Sequence, residues 1–317
     1  MGKTPAMQTS ADQMTNVGTE LRSHAAPVGG ALRDVLSVDV EDYYHVEAFA
    51  DRIERSRWSE FPWRVSANTH RVLELMARHG CRATFFVLGW VAERDPALVR
   101  AIHAAGHELA CHSYWHRRAC TLTPEEFRSD LRQAKAVIED AAGVAVVGYR
   151  APTFSIGPEN LWALEILADE GFLYDSSIFP IRHDVYGFPG APRFAHWRSL
   201  PGGRIFEVPM STVRIGGANL PVGGGGYLRL LPMSYTRWAM RRIHEADRQP
   251  VVVYFHPWEL DPEQPRLAGR WKSRVRHYTG LRGMEKRLDQ LLASGCFEPV
   301  IDLVRRAVAA GENPSRA

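Results

Sequence analysis

Cysteines are scarce in this sequence, and their spacing excludes most cysteine-based chemistry. The chain has four cysteines in 317 residues, at positions 81, 111, 120 and 296, and none of them forms a CxxC or zinc-finger pattern. This arrangement favours small buried thiols over a disulfide framework or a cysteine–zinc site.

Long apolar runs are also missing, and neither sign of charge dominates. No stretch approaches the roughly 18 to 20 apolar residues of a membrane span, and residues 1–10 lack the apolar core of a secretory signal. Lys and Arg (39) barely outnumber Asp and Glu (36), and the basic residues are scattered rather than gathered in a stripe. We therefore expect a cytoplasmic protein with no transmembrane segment and no nucleic-acid partner.

The remaining composition is that of a globular α/β protein. With 45% hydrophobic and 24% charged residues, the chain can bury a sizeable core. Residues 1–29 are polar and small and predict a disordered tail. Buried strands alternate with amphipathic helices over residues 30–282, which predicts a mostly parallel sheet with crossover helices, interrupted by an irregular insert at about 179–232. Residues 283–317 predict helices packed on the outside.

Apolar periodicity and helix start and stop residues predict the individual elements. The predicted strands are 35–39, 83–88, 107–111, 144–149, 172–174 and 251–255, and the predicted helices are 69–79, 96–106, 123–142 and 158–170.

The segment His112-Ser-Tyr-Trp-His116 carries most of the functional information. Two imidazoles four residues apart can bind one metal ion once a carboxylate joins them from elsewhere in the chain. Ser113 stands where the zinc protease motif H-E-x-x-H has its glutamate, so a base would have to come from another segment. The pair follows a predicted strand, and active sites of α/β folds lie at the C-terminal ends of strands.

Polar side chains follow the other predicted strands as well. The first strand ends in Asp39, Glu41 and Asp42, and burying such a cluster requires a cation or a proton as partner, although a solvated acidic loop is the alternative. Three further polar residues directly follow strands: Arg150, Asp175 and His256. In one parallel barrel all of these residues would meet at the same end.

These motifs resemble those of the polysaccharide deacetylase family, which carries the NodB homology domain. The matching stretches are Val38-Asp-Val-Glu-Asp42, His112-Ser-Tyr-Trp-His116, Arg150-Ala-Pro152, Tyr174-Asp-Ser176 and Phe255-His256. The wording around Asp39 and His256 is most similar to the subgroup associated with exosortase (PEP-CTERM) exopolysaccharide loci. The resemblance implies a distorted (β/α) barrel with a C-terminal helical extension, and removal of N-acetyl groups from an N-acetylated polysaccharide or its precursor. We expect the enzyme in the cytoplasm, either free or at the inner membrane beside the biosynthetic machinery. The modification would then precede export of the polysaccharide.

The resemblance also implies a role for each residue. Asp39 would be the general base, positioned by Arg150, and His256 would be the general acid, held protonated by Asp175. His112 and His116 would bind a divalent metal, in this family often Zn²⁺, although two imidazoles and a carboxylate also suit Co²⁺ or Ni²⁺.

The third metal ligand has two candidates. The family usually shows adjacent aspartates, base then ligand, whereas Val40 follows Asp39 here. Strand alternation puts Glu41 on the same face as Asp39, but a bend at the strand end would present Asp42 instead.

Two other functions are compatible with the same fold. An allantoinase-like hydrolase would open a small cyclic amide, but such relatives alter the aspartate and histidine motifs, and Asp39 and His256 are present here. A non-catalytic carbohydrate-binding barrel would usually have lost the base or a ligand, and neither is missing. Aromatic residues near the motifs would either stack on sugar rings or pack in the core: Tyr43, Tyr44, Trp58, Trp63, Trp115 and Trp258.

Overall fold

A curled, mostly parallel sheet surrounded by helices forms the body of the molecule. The computed structural model describes residues 32–310. Its strands are β1 (Asp34–Val40), β2 (Thr84–Val87), β3 (Glu108–Cys111), β4 (Gly148–Tyr149), β5 (Tyr174–Asp175), β6 (His196–Leu200), β7 (Gly203–Glu207), β8 (Thr212–Ile215), β9 (Ala218–Pro221), β10 (Val252–Phe255) and β11 (Phe297–Glu298). Its α-helices are α1 (Val65–Arg78), α2 (Gly89–Arg94), α3 (Pro96–Ala104), α4 (Pro124–Ala142), α5 (Trp162–Asp169), α6 (Gly225–Leu230), α7 (Met233–Arg242), α8 (Trp271–Tyr278), α9 (Leu281–Ser294) and α10 (Val300–Ala309).

The sheet has the order β10-β1-β2-β3-β4-β5-β7-β6, with β11 joined to the beginning of β1. All pairs in this order are parallel except β6 with β7. Within the described residues β6 and β10 do not pair, so the curled sheet stays open between them. The predicted α/β fold of the distorted-barrel type is confirmed.

Helix signals in the sequence act at the ends of the outer helices. The Thr123 hydroxyl accepts a hydrogen bond from the Glu126 N–H while Glu126 bonds back to the Thr123 N–H, a capping box that begins α4. Gly143 ends this helix in the left-handed conformation, at φ 72°. Asp95 caps α3 in the same way by accepting from the Leu98 N–H.

Side chains alternate along the strands between the interior of the curl and the layer under the helices. In β1, Leu36, Val38 and Val40 belong to the large apolar core, whereas Val35 packs with Phe86 in a smaller inner cluster. Since successive side chains of a strand point to opposite faces, Ser37 and Asp39 share the inner face with Val35.

Two segments are more regular than their sequences suggested. Residues 179–232 contain two antiparallel strand pairs, β6–β7 and β8–β9, and β7 extends the main sheet beside β5. The segment around Phe297, within the region predicted as helices, forms β11 and pairs with β1. Both segments contain strands of only two to five residues, which are too short for a clear apolar period.

Two of the four cysteines differ from the prediction of buried thiols, because Cys120 and Cys296 are exposed. The predicted tail, residues 1–29, lies outside the described residues.

Candidate active site

Glu41 and the two histidines meet at the C-terminal ends of β1 and β3. One carboxylate oxygen of Glu41, Oε1, lies 3.0 Å from Nε2 of His112 and 3.0 Å from Nε2 of His116. All three side chains are buried, and their ligand atoms lie within 4.8 Å of one another. The pKa of Glu41 is lowered well below its usual value, because burial, which would raise it, is outweighed by the neighbouring His116, His256 and His112.

The hydrogen bonds of His112 determine which of its nitrogens faces Glu41. Nδ1 lies 2.8 Å from the backbone carbonyl oxygen of Arg150, so it donates its proton there. In the neutral ring Nε2 then carries a lone pair, directed at a carboxylate oxygen. Two acceptors 3.0 Å apart repel unless a cation or a proton lies between them. Metal-binding histidines are commonly held through their other nitrogen in this manner.

The loop that carries both histidines has unusual backbone geometry. Ser113 and His116 have φ angles of 62° and 50°, a region that non-glycine residues rarely occupy. Asp130 of α4 holds the loop by accepting hydrogen bonds from the N–H groups of Tyr114 (2.7 Å) and Trp115 (3.3 Å). Such locally unfavourable conformations often occur at functional sites, where surrounding contacts maintain them.

Asp42 makes different contacts from Glu41. Its Oδ2 accepts hydrogen bonds from the N–H groups of Arg64 (2.7 Å) and Val65 (2.8 Å), at the beginning of α1, and its Oδ1 accepts from Tyr43. Asp42 therefore caps a helix and points away from the two histidines. Of the two candidate carboxylates, the geometry favours Glu41.

Arg150 and Asp39 form a buried ion pair inside the curl. Nη1 of Arg150 donates to Oδ1 of Asp39 at 2.7 Å and to the Ser37 hydroxyl at 2.9 Å. Its Nη2 and Nε donate to the hydroxyl and the carbonyl of Ser176. The guanidinium also lies over the Phe86 ring, 4.1 Å from its centre. Arg150 is fully buried, so these contacts fix one orientation of Asp39.

His256, which follows β10, completes the cluster. Its Nε2 lies 3.9 Å from Oδ2 of Asp39 and 3.8 Å from Oε1 of Glu41, while its Nδ1 lies 3.1 Å from Oε2 of Glu259. Burial lowers the pKa of His256, but Glu41, Glu259 and Asp39 outweigh it and raise the pKa to about 9. His256 is the imidazole that can carry a proton to the centre of the site.

Glu259 is held in turn by Arg229. Nε of Arg229 donates to Oε1 of Glu259, and the remaining guanidinium nitrogens donate to backbone carbonyls at 276, 277 and 279. Burial raises the pKa of Glu259, but Arg229 and His256 lower it to about 2, so the carboxylate is ionised. Neither residue was expected from the sequence. The spacing His256-Pro-Trp-Glu259, with glutamate three residues after the start of a helical turn, was the available signal.

Asp175, expected to hold His256, does not contact it. Tyr174 packs in the inner cluster, so its neighbour Asp175 points to the other face of the sheet. There it lies beside Glu207, its direct partner in the register of β5 with β7. Burial raises the pKa of both carboxyls, and the negative charge of Asp175 raises that of Glu207 further. Glu259 occupies the position that the sequence assigned to Asp175.

A cavity of about 220 Å³ opens onto these groups. Asp39, Glu41, His116 and His256 lie on its wall, with aromatic side chains from Tyr186, Tyr254 and Trp258. Most aromatics near the motifs are core residues: Tyr43, Tyr44, Trp58 and Trp258 are buried, whereas Trp63 and Trp115 are partly exposed. The cavity is large enough for a small acylated group to reach the histidines and carboxylates.

The sequence matches two family models. Residues 58–168 match the polysaccharide deacetylase model, and residues 176–305 match a domain of unknown function, DUF3473. A peptidoglycan-N-acetylglucosamine deacetylase of Bacillus cereus is 28% identical over 151 residues, which are 43% of this chain and 53% of the relative. Residues 58–168 of this chain are therefore similar to polysaccharide deacetylases. This chain spans about half the length of that relative.

Solved structures show a similar fold. PuuE allantoinase superimposes with a TM-score of 0.62 and 15% identity, covering 92% of this chain and 96% of the other. A "probable Polysaccharide deacetylase" from Pseudomonas aeruginosa PAO1 superimposes with a TM-score of 0.58 and 16% identity, covering 87% and 90%. At these identities the likeness concerns the fold alone. No helix within residues 32–310 is long and apolar enough to cross a membrane.

Proposed function

We propose that this protein is a metal-dependent hydrolase that removes N-acetyl groups from an amino-sugar polysaccharide or its precursor. The observation that carries the proposal is Glu41 Oε1 placed 3.0 Å from Nε2 of both His112 and His116, while His112 Nδ1 donates elsewhere. The match of residues 58–168 to the polysaccharide deacetylase model and the similarity to a peptidoglycan deacetylase support the reaction class.

The donor set suits a divalent ion. Two imidazole nitrogens and one carboxylate oxygen leave open coordination positions, as catalytic zinc sites do. Zn²⁺ is our first choice, and Co²⁺ or Ni²⁺ would fit the same donors. Such an ion would polarise an acetamide carbonyl and lower the pKa of a nearby water.

The protein's own residues supply the proton transfers. Asp39, oriented by Arg150, accepts a proton from the attacking water as its oxygen bonds to the acetyl carbon. His256, held by Glu259, presents Nε2 to the same space and donates its proton to the departing nitrogen as the carbon–nitrogen bond breaks. The products are acetate and a free amino sugar. In this proposal Asp175 supports the sheet rather than the acid.

The biological substrate is proposed from the sequence motifs. The stretches Val38-Asp-Val-Glu-Asp-Tyr-Tyr44 and Tyr254-Phe-His-Pro-Trp-Glu-Leu260 support the exosortase-associated subgroup and therefore an exopolysaccharide or its precursor. The aromatic side chains on the cavity wall suit a sugar ring.

Acetate release tests this proposal. We expect protein reconstituted with Zn²⁺, Co²⁺ or Ni²⁺ to release acetate from N-acetylated glucosamine oligomers and to leave allantoin-like cyclic amides unopened. Ring opening without acetate release would instead favour the allantoinase-like function. Absence of both activities, together with no bound metal, would favour a non-catalytic carbohydrate-binding barrel.

A further inference from the structure

Helix α8 presents an apolar stripe to solvent beside the candidate active site. Trp271 is 70% exposed and Val275 is 52% exposed, and the two are one helical turn apart on the same face. The opposite face of the helix is fixed to the body: His277 is buried and stacks on Trp258, with 4.2 Å between ring centres. The outward position of the apolar stripe is therefore set by packing.

Positive charge is concentrated around this stripe. Basic residues are scattered over most of the chain, but residues 266–282 contain six of them and no acidic residue, although the whole chain has a net charge of only +3. They are Arg266, Arg270, Lys272, Arg274, Arg276 and Arg282. The rest of the molecule is therefore slightly acidic, and this segment forms a local positive field.

Two of the three cations on helix α8 have no carboxylate of their own. Arg276 lies 3.5 Å from Asp184 and Arg270 lies 3.8 Å from Asp51. Within residues 32–310, neither Lys272 nor Arg274 forms an ion pair. On the helix they flank the line from Trp271 to Val275 on its two sides. We call these four residues the α8 face.

We propose that the α8 face docks the protein on an anionic lipid surface. An exposed tryptophan and an aliphatic side chain between cations match an interfacial helix, which buries its apolar residues among lipid headgroups while the cations attract anionic lipids. A nucleic acid or an acidic glycan would use the cations but would gain little from the aliphatic Val275.

Docking would bring the cavity close to the lipid surface. The residues Arg276 and His277 of the same helix line the cavity that contains His256. If docking is combined with the proposed function, on which this step rests, the enzyme acts on a precursor held at a membrane. The docking itself does not depend on catalysis, so the two proposals can fail separately.

Cosedimentation of the full chain with vesicles tests the docking. We expect binding to phosphatidylcholine vesicles that contain phosphatidylglycerol, little binding to pure phosphatidylcholine, and weakening by salt. The double variant Lys272→Gln/Arg274→Gln should bind about 25-fold more weakly, since each cation near an anionic surface contributes roughly fivefold. Trp271→Ala should lose at least about tenfold through its apolar contact.

Helix α7 provides matched controls. Trp238 is 43% exposed, and Arg241 and Arg242 are exposed on the same helix. Trp238→Ala and Arg241→Gln/Arg242→Gln should leave vesicle binding unchanged. Acetate release from a water-soluble oligomer should be unchanged in the α8 variants, which shows that they fold.

Three results would overturn the proposal. The first is equal binding to neutral and anionic vesicles, and the second is loss of binding in the α7 variants but not in the α8 variants. The third is loss of affinity for a soluble polyanion or a long oligosaccharide in the α8 variants with no vesicle binding by the parent protein. That outcome would assign the α8 face to a polymer.

Discussion

Replacing Glu259 by glutamine removes the charge that faces His256 without removing its hydrogen-bond acceptor. Oε2 of Glu259 lies 3.1 Å from Nδ1 of His256, and Glu259 is fully buried while the His256 side chain is 16% exposed. At an effective dielectric constant of about 20, such a pair attracts by roughly 5 kcal/mol before desolvation is subtracted. Only part of this attraction stabilises the protonated form of His256, from which the proton is donated.

We expect Glu259→Gln to lower kcat about 100-fold, because a positioned general acid contributes roughly 100-fold to 10,000-fold and the substitution weakens but does not remove it. KM and metal content should change little. The free energy of unfolding should fall by about 1 to 3 kcal/mol, because Arg229 loses its buried ionic partner.

The comparison variant is Asp175→Asn, which alters the carboxylate that the sequence alone would choose. Because Asp175 faces Glu207 and not His256, we expect kcat within a few-fold of the parent protein. Acetate release, metal content and thermal unfolding should be measured for both variants. Near-normal kcat in Glu259→Gln with a large loss in Asp175→Asn would refute the assignment of Glu259.

Three further predictions concern other carboxylates. Asp39→Asn should lose acetate release while keeping its bound metal, and full release would remove Asp39 as the base. Glu41→Gln should lose metal affinity, whereas Asp42→Asn should keep it and instead lower stability by about 1 kcal/mol through the cap of α1, as calorimetry and metal titration can check. Burial raises the pKa of Glu108 to about 7, above the 4.5 of an unfolded chain, so its neutral form favours folding; stability should fall as pH rises from about 4.5 to 7. This pH dependence should be smaller in Glu108→Gln, and an identical profile of melting temperature in the two proteins would contradict it.

The strand ends that carry the site could be predicted because their signals are local. Apolar runs located β1, β3 and β10 to within one or two residues, and a parallel sheet then required Asp39, His112 and His256 to lie at one end. Alternation along β1 also favoured Glu41 over Asp42, and the structure adds the reason: Asp42 is occupied with the N–H groups of α1.

Other parts depended on contacts between distant segments. The strand β7 lies in a segment rich in glycine and proline and is defined by its partner β5. The role expected for Asp175 was wrong for a geometric reason. A position directly after a strand predicts the end of the sheet at which a residue lies, but the pleat of the strand determines the face to which its side chain points. Arg229 lies 30 residues before Glu259, and no local pattern in the sequence connects them.

Crystallographic anomalous scattering from zinc-loaded protein would test the central claim most directly. We expect one strong peak at about 2.0 to 2.2 Å from a Glu41 carboxylate oxygen and from Nε2 of both His112 and His116. A peak bound by Asp42, or no peak among these three residues in protein that releases acetate, would contradict it.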